Sequence, residues 1–419
     1  MNHFEYKNGA LCCEGVNLAD IAEAVGTPCY VYSTATLERH YQVFRDAFLP
    51  RNVLVAFAVK ANANIAVIAT LARKGAGADT VSRGEIERAL KAGVLAEKII
   101  FSGVGKTADE LAFAVKAGVH EINVESRAEL ELLSEIARGL GKKARIAIRV
   151  NPDVGAGGHE KISTGKGDAK FGVSPEQALA LYTRAAGDPH LHAQGLAVHI
   201  GSQIRDLAPL EAAFRVMRSL AEKLRSEGIA IERLDLGGGL GVPYFNEPDP
   251  PSPVEYAAMV SRVFDGFEIG LSFEPGRMIA ANAGVLLARV VRLQDRPRPI
   301  VVLDAAMNDL IRPAIYDAYH GIKPLKQATS PERAVDVVGP ICETGDTFTR
   351  NRMLPPLEAG DLVAFMTAGA YGAVMASTYN ARPLVPEVLV SGDRFEVVRR
   401  RWDVAEQLKL ESLPTWMES

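Results

Sequence analysis

The sequence predicts an α/β protein, a TIM (β/α)8 barrel followed by an all-β domain, sandwich-like or barrel-like, that also takes in the N-terminal strands. Three observations lead there. Between residues 53 and 274 short β-branched runs alternate with longer segments of helical apolar spacing, the rhythm of a parallel α/β fold. Eight such units fill about 245 residues, the size of a (β/α)8 barrel. After residue 280 the long helical patterns stop while strand-like runs continue. A doubly wound open sheet is the alternative, disfavoured because eight units run on without an obvious crossover.

Taken in order, FEYK and ALCC flank Asn8-Gly9, a pair suited to the positive φ angles of a tight hairpin, and CYVY reads as a further strand. The barrel strands are VLVAFAV (53–59), GAGADT (75–80), KIIF (98–101), EINV (121–124), RIAIRV (145–150), GLAVHI (195–200), ERLDLG (232–237) and GLSFEP (270–275). IAVIATLARKG, RGEIERALKAG, TADELAFAVKAG and SRAELELLSEIARGLG place apolar residues three and four apart and end on glycine, as helices between strands do. GVLLARVVRL, PIVVLDA, RAVDVVG, DLVAFMTAG, PEVLVSG and RFEVVRR then supply the later β domain. The expected division is 33–280 for the barrel, with 1–32 and 281–419 together forming the β domain.

Composition excludes several functions. The 419 residues are 48% hydrophobic, enough for a sizeable core, and 47 Lys+Arg against 51 Asp+Glu give a net charge of −4. No basic field is left to hold nucleic acid or an anionic membrane, so a small molecule or another protein is the expected partner. The first residues carry neither a basic start nor an apolar stretch, and no later apolar run approaches a membrane span, so a cytoplasmic location is expected. Cys12, Cys13, Cys29 and Cys342 lack zinc spacing, so reduced thiols and no metal are expected.

Barrel chemistry gathers where strands end. Lys60 follows the first strand, Asp79 the second, Ser102 the third and Asn151 the fifth; His199 ends the sixth, Gly237–Gly239 follow the seventh, and Glu274 and Arg277 follow the eighth. Singly, each reads as an ordinary surface or packing residue; together they mark one rim. Lys60 emerges from a nearly continuous apolar run, and partial desolvation frees a lysine amine for Schiff-base chemistry. GGGLG (237–241) can turn several backbone N–H groups toward a phosphate in the loop where barrels commonly bind one. An amine with a phosphate loop points to pyridoxal 5'-phosphate. Glu274 would then face the pyridine nitrogen and keep it protonated, although it could merely pair with Arg277 in EPGR. GGGLG lacks the GxGxxG spacing of a dinucleotide site, and in STGKGD Glu160 stands where a phosphate-binding P-loop needs glycine.

AFAVKAN, ADTVSRGE, FSGVGKT, INVES, HIGSQI, DLGGGLG, EPGR, MNDLIRPAIYDAYH, GPICETGD, AGAYG and STYNARP, in that order, resemble the bacterial diaminopimelate decarboxylases across nearly the whole chain. That family lies in the alanine-racemase-like, fold type III group of pyridoxal phosphate enzymes and works as homodimers. The resemblance implies that Lys60 forms the Schiff base, that His199 stacks on the cofactor ring, and that Asp79 and Glu85 orient the lysine. It places Ser202, Gly238, Gly239, Gly276, Arg277 and Tyr371 at the cofactor phosphate and Glu274 at the pyridine. Arg277, Arg312, Tyr316 and Tyr371 would hold the substrate's distal carboxylate side, and Glu343 its distal ammonium. Cys342 would reprotonate Cα, with Cys342 and Glu343 supplied by the neighbouring subunit. Two arginines fit a substrate with a second carboxylate, because a guanidinium meets a carboxylate in bidentate geometry.

The implied reaction converts meso-2,6-diaminopimelate into L-lysine and carbon dioxide, the last step of lysine biosynthesis. A decarboxylase for lysine, ornithine or carboxynorspermidine is the alternative, disfavoured because such substrates leave the arginines without a carboxylate. A racemase on the same fold is disfavoured by Glu274, and a non-catalytic cofactor-binding protein by Lys60 and Cys342. The Gly-rich stretch before ISTG and the tail beyond Asp403 depart from the family pattern.

Overall fold

Eight parallel strands close into a barrel: Val53–Ala58, Gly77–Thr80, Ile99–Phe101, Glu121–Val124, Ala144–Val150, Leu191–Val198, Arg233–Asp235 and Gly270–Phe273. Neighbours follow chain order, and Leu271–Phe273 pairs with Val53–Val55 to complete the ring. The computed structural model describes residues 2–155, 165, 170–244 and 249–417. Beyond Gly155 the Gly-rich run before ISTG, and the Lys166 segment, lie outside them apart from Gly165.

All eight barrel strands occur where the sequence places them, with shifted ends that have local causes. The second begins at Gly77 because Gly75, at φ +97°, is still closing the preceding turn. The sixth starts at Leu191, with an irregular register between Ala193 and Gly195, and stops before His199. The seventh ends at Asp235, whose Oδ1 accepts the N–H of Gly237 (2.9 Å) and turns the chain out of the ladder.

Helices between the strands begin on side-chain caps. Thr107, Ser174 and Ser252 form capping boxes with Glu110, Gln177 and Glu255, each pair satisfying two otherwise open backbone donors. The longest, Leu207–Ser226, buries Leu210, Phe214, Met217 and Leu224 on one face, the repeat of an amphipathic helix.

The chain divides into two units, Leu37–Pro243 with Glu247–Ile279, which holds the barrel, and Met1–Thr36 with Tyr244–Asn246 and Ala280–Ser419. The second unit is built on β structure. Phe4–Lys7 and Ala10–Cys13 form the hairpin about Asn8-Gly9, joined by Val16–Asn17. In a nine-stranded mixed sheet, Cys29–Ser33 lies between Gly284–Gln294, antiparallel, and Glu387–Ser391, parallel. An early segment thus completes a sheet made otherwise of late ones. The strands meet closely at Gly284, where a Cβ would stand 2.6 Å from both Tyr32 and the backbone of Gly369.

Helix Leu18–Val25 and strands Ile322–Pro324 and Thr347–Leu354 lie outside the elements expected from the sequence. The helix is capped by Asn17 and buries Leu18, Ile21 and Ala22, a pattern too short to stand out. Thr347–Leu354 carries three charged or amide side chains in a row, Arg350, Asn351 and Arg352, which mask its alternation. Among the described residues no helix is long and apolar enough to cross a membrane.

Candidate active site

At the C-terminal ends of the barrel strands a cavity of about 400 Å³ is lined by Lys60, Ser102, Asn123, Arg149, His199, Asp235 and Glu274. A short helical turn, Val59–Ala61, continues the first strand and carries Lys60 into it. Lys60 Nζ donates to Asp79 Oδ2 at 2.6 Å; Asp79 is fully buried, and its Oδ1 has no hydrogen-bond partner among the described residues. Nearby, Glu85 Oε2 accepts the N–H of Val81 at 2.7 Å, and burial pushes the Glu85 carboxyl up to about 7.

His199 stands just beyond the sixth strand, and its Nδ1 accepts the N–H of Gly238 at 3.2 Å. Burial, reinforced by the positive charges of Lys60 and Arg149, holds its pKa well below the usual imidazole range. The ring is therefore neutral, with its proton on Nε2. The glycines that follow the seventh strand are required by packing: a Cβ on Gly238 would lie 2.3 Å from the carbonyl oxygen of Glu274. Beyond them Arg277 donates to Ser202 Oγ from Nε (3.3 Å) and from a terminal nitrogen (3.2 Å). A side chain on Gly276 would meet the Cβ atoms of Ala58 and Ala61 at 3.0 Å.

Glu274 is buried. Burial first, then the like charges of Asp235 and Asp79, push its pKa well above the carboxylate range, against the pull of Lys60. Ser102 Oγ reaches Glu274 Oε1 at 3.4 Å, while Asn123 Nδ2 donates to Ser102 Oγ (3.0 Å) and to Asp235 Oδ2 (3.2 Å). A second buried set braces the rim: Glu125 accepts from Arg149 Nη1 (2.8 Å), from the N–H of Gly103 (3.0 Å) and from that of Gly172 (3.1 Å). The guanidinium of Arg149 lies 4.8 Å from the Phe171 ring centre. Asp235, Asn123, Arg149 and Glu125 were not singled out from the sequence. The available signal was that each lies in or directly beyond a barrel strand, where a polar side chain needs a reason.

The remaining candidates belong to the β unit. Arg312 opens helix Arg312–Tyr316, is buried, meets His320 Nε2 at 2.8 Å and lies 4.7 Å from the Tyr244 ring centre; Tyr316 is half-buried. Cys342 and Glu343 are exposed on a loop pinned by buried Asp346, which accepts the N–H groups of Met307 (2.6 Å) and Ile341 (2.7 Å). Glu343 Oε2 accepts from the Tyr379 hydroxyl at 3.0 Å. Tyr371 is half-buried at φ +57°.

The barrel residues fit pyridoxal phosphate. The cavity admits a small aromatic ring, a lysine amine enters it, and buried Glu274 and Asp235 are both pushed toward their protonated forms, where a cationic nitrogen would favour a carboxylate. Residues 34–281 match the family described as pyridoxal-dependent decarboxylase, pyridoxal binding domain, which defines the class as a pyridoxal phosphate-dependent decarboxylase. Diaminopimelate decarboxylase from Zymomonas mobilis is 50% identical over 419 residues, with 99% of each chain covered. Two solved structures agree: the Helicobacter pylori enzyme complexed with L-lysine (39% identity, 94% of this chain and 99% of that one, TM-score 0.91) and that of M. jannaschii (36%, 99% of each, TM-score 0.95). The chain belongs to the diaminopimelate decarboxylase family.

Proposed function

We propose that the chain decarboxylates meso-2,6-diaminopimelate at its D-centre to L-lysine and carbon dioxide, the last step of lysine biosynthesis. The observation that carries this reading is the pairing of Lys60 with Asp79 at a barrel-mouth cavity that buried Glu274 also lines, in a chain aligned end to end with diaminopimelate decarboxylases. Bound pyridoxal phosphate supplies an electron sink for the pair left on Cα when the carboxylate departs.

Lys60 would supply the amine that holds the cofactor's aldehyde, and Asp79, with Glu85 nearby, keeps that amine aimed. Neutral His199 would offer a flat face to the cofactor ring, since an imidazolium there would repel a protonated pyridine. Glu274 would be the carboxyl partner of that nitrogen. Ser202, Gly238, Gly239, Gly276, Arg277 and Tyr371 form the phosphate cradle; the Ser202–Arg277 contact supports an anion site there.

For substrate, Arg277, Arg312, Tyr316 and Tyr371 bind the distal carboxylate and Glu343 the distal ammonium. The Cα–carboxylate bond breaks, carbon dioxide leaves, and the thiol of Cys342 gives its proton to Cα before solvent restores it. The working form is a homodimer in which Cys342 and Glu343 serve the neighbouring subunit's site; their exposure fits residues that a second subunit covers. Carbon dioxide release from meso-diaminopimelate, measured beside lysine, ornithine and carboxynorspermidine, tests the reading. A preference for any of the latter three refutes it.

A further inference from the structure

Asp235 has no part in the roles above, yet it is 1% exposed, lines the cavity and is hydrogen-bonded to Glu274. Two carboxyl groups can share a hydrogen bond only if one of them carries a proton. The surroundings say which. Burial raises the pKa of Asp235 too, but against it Asp235 accepts two N–H donors, from Gly237 at 2.9 Å and Asn123 at 3.2 Å, which favour its anion. Besides Asp235, Glu274 meets the Ser102 hydroxyl at 3.4 Å, and burial with the like charges of Asp235 and Asp79 pushes its pKa well up, so without cofactor the proton belongs to Glu274.

The other groups facing the pair contribute little net charge. Asp79 is cancelled by Lys60 at 2.6 Å, and Arg149 by Glu125 at 2.8 Å. Glu121, buried in the fourth strand, and Tyr256, from helix Pro253–Val263, are both pushed toward their neutral forms by burial. His199 is neutral. The pair therefore holds one proton and one negative charge.

We infer that Asp235 is a positioning residue that takes up the proton of Glu274 when the cofactor binds, so that Glu274 faces the pyridine nitrogen as an anion. The inference rests on Glu274 being the pyridine partner. The proton passes from a Glu274 oxygen to an Asp235 oxygen, which then donates back to the new carboxylate. None is released, and the pair's single negative charge now faces the cationic ring. Because Asp235 also accepts from Gly237, the same residue ties the pyridine end of the site to the glycine loop.

Infrared difference spectroscopy of protein carrying carboxyl-13C aspartate, before and after pyridoxal phosphate is added to the apoenzyme, reads this directly. A protonated-carboxyl band that shifts with the aspartate label should appear in the wild type on cofactor binding. Asp235→Asn should bind the cofactor without that band, and Glu274→Gln, which has no proton to pass on, should also lack it. No labelled band in the wild type, or its persistence in either variant, overturns the inference. Failure of the underlying reading looks different: Glu274→Gln should bind pyridoxal phosphate at least tenfold more weakly, and unchanged affinity removes Glu274 as the pyridine partner.

Discussion

Glu125→Ala tests the brace under the cavity rim. Glu125 and Arg149 form an ion pair at 2.8 Å whose side chains are 2% and 9% exposed, and Glu125 also accepts the backbone N–H groups of Gly103 and Gly172. Removing the carboxylate leaves a buried guanidinium and two backbone donors without their acceptor. Breaking a buried pair by deleting one partner costs about 3 to 5 kcal/mol. Arg149 lines the cavity, so water can reach it in part, and the lower end applies. A loss of about 3 kcal/mol lowers the folded-to-unfolded ratio by more than a hundredfold, at about 1.4 kcal/mol per factor of ten. For a unit of this size it lowers Tm by roughly 6 to 12 °C. Unfolding of the holoenzyme should be followed for Glu125→Ala, Arg149→Met and the double variant, because the cycle separates the pair from the lost backbone bonds. The double variant should recover most of the loss attributable to a stranded charge. A coupling below about 0.5 kcal/mol would show that the two groups act independently and refute the reasoning.

Lys60→Ala should abolish both turnover and borohydride trapping of the cofactor on the protein; retained activity removes Lys60 from its role. Burial pushes Glu121 up to about 8 in the folded chain, whereas unfolded it sheds its proton near 4.5. Between those values the native state binds more protons than the unfolded one, so Glu121 makes stability fall as pH rises from about 4.5 to about 8. Denaturant titrations should show a shallower decline for Glu121→Gln, and an unchanged slope would place the titration elsewhere. Gly238→Ala puts a Cβ 2.3 Å from the Glu274 carbonyl oxygen, and displacement of that segment should weaken pyridoxal phosphate binding at least tenfold. Normal affinity, measured by adding cofactor to apoenzyme, would mean that the loop yields without disturbing Glu274.

Much of the molecule was legible along the chain because its signals are local. Each barrel strand is a short apolar run ended by glycine or a polar residue, and the reactive groups sit at those ends: Lys60 after the first strand, His199 after the sixth, Glu274 after the eighth. Asp235 and Glu125 escaped notice for the opposite reason. Asp235 is embedded in a strand, and its significance comes from Asn123 and Glu274, 112 and 39 positions away. Glu125 follows a strand as an ordinary acidic residue, until Gly103, Arg149 and Gly172 converge on it.

The sequence by itself determined the alternation of strands and helices, the hairpin at Asn8-Gly9 and the residue types on the barrel rim, since periodicity, turn chemistry and side-chain reactivity are properties of short segments. Tertiary structure alone decided which late strands Cys29–Ser33 pairs with, and that Glu274 and Asp235 share a hydrogen bond. Burial and charge proximity set which carboxyl keeps a proton, and both exist only once distant segments are packed together.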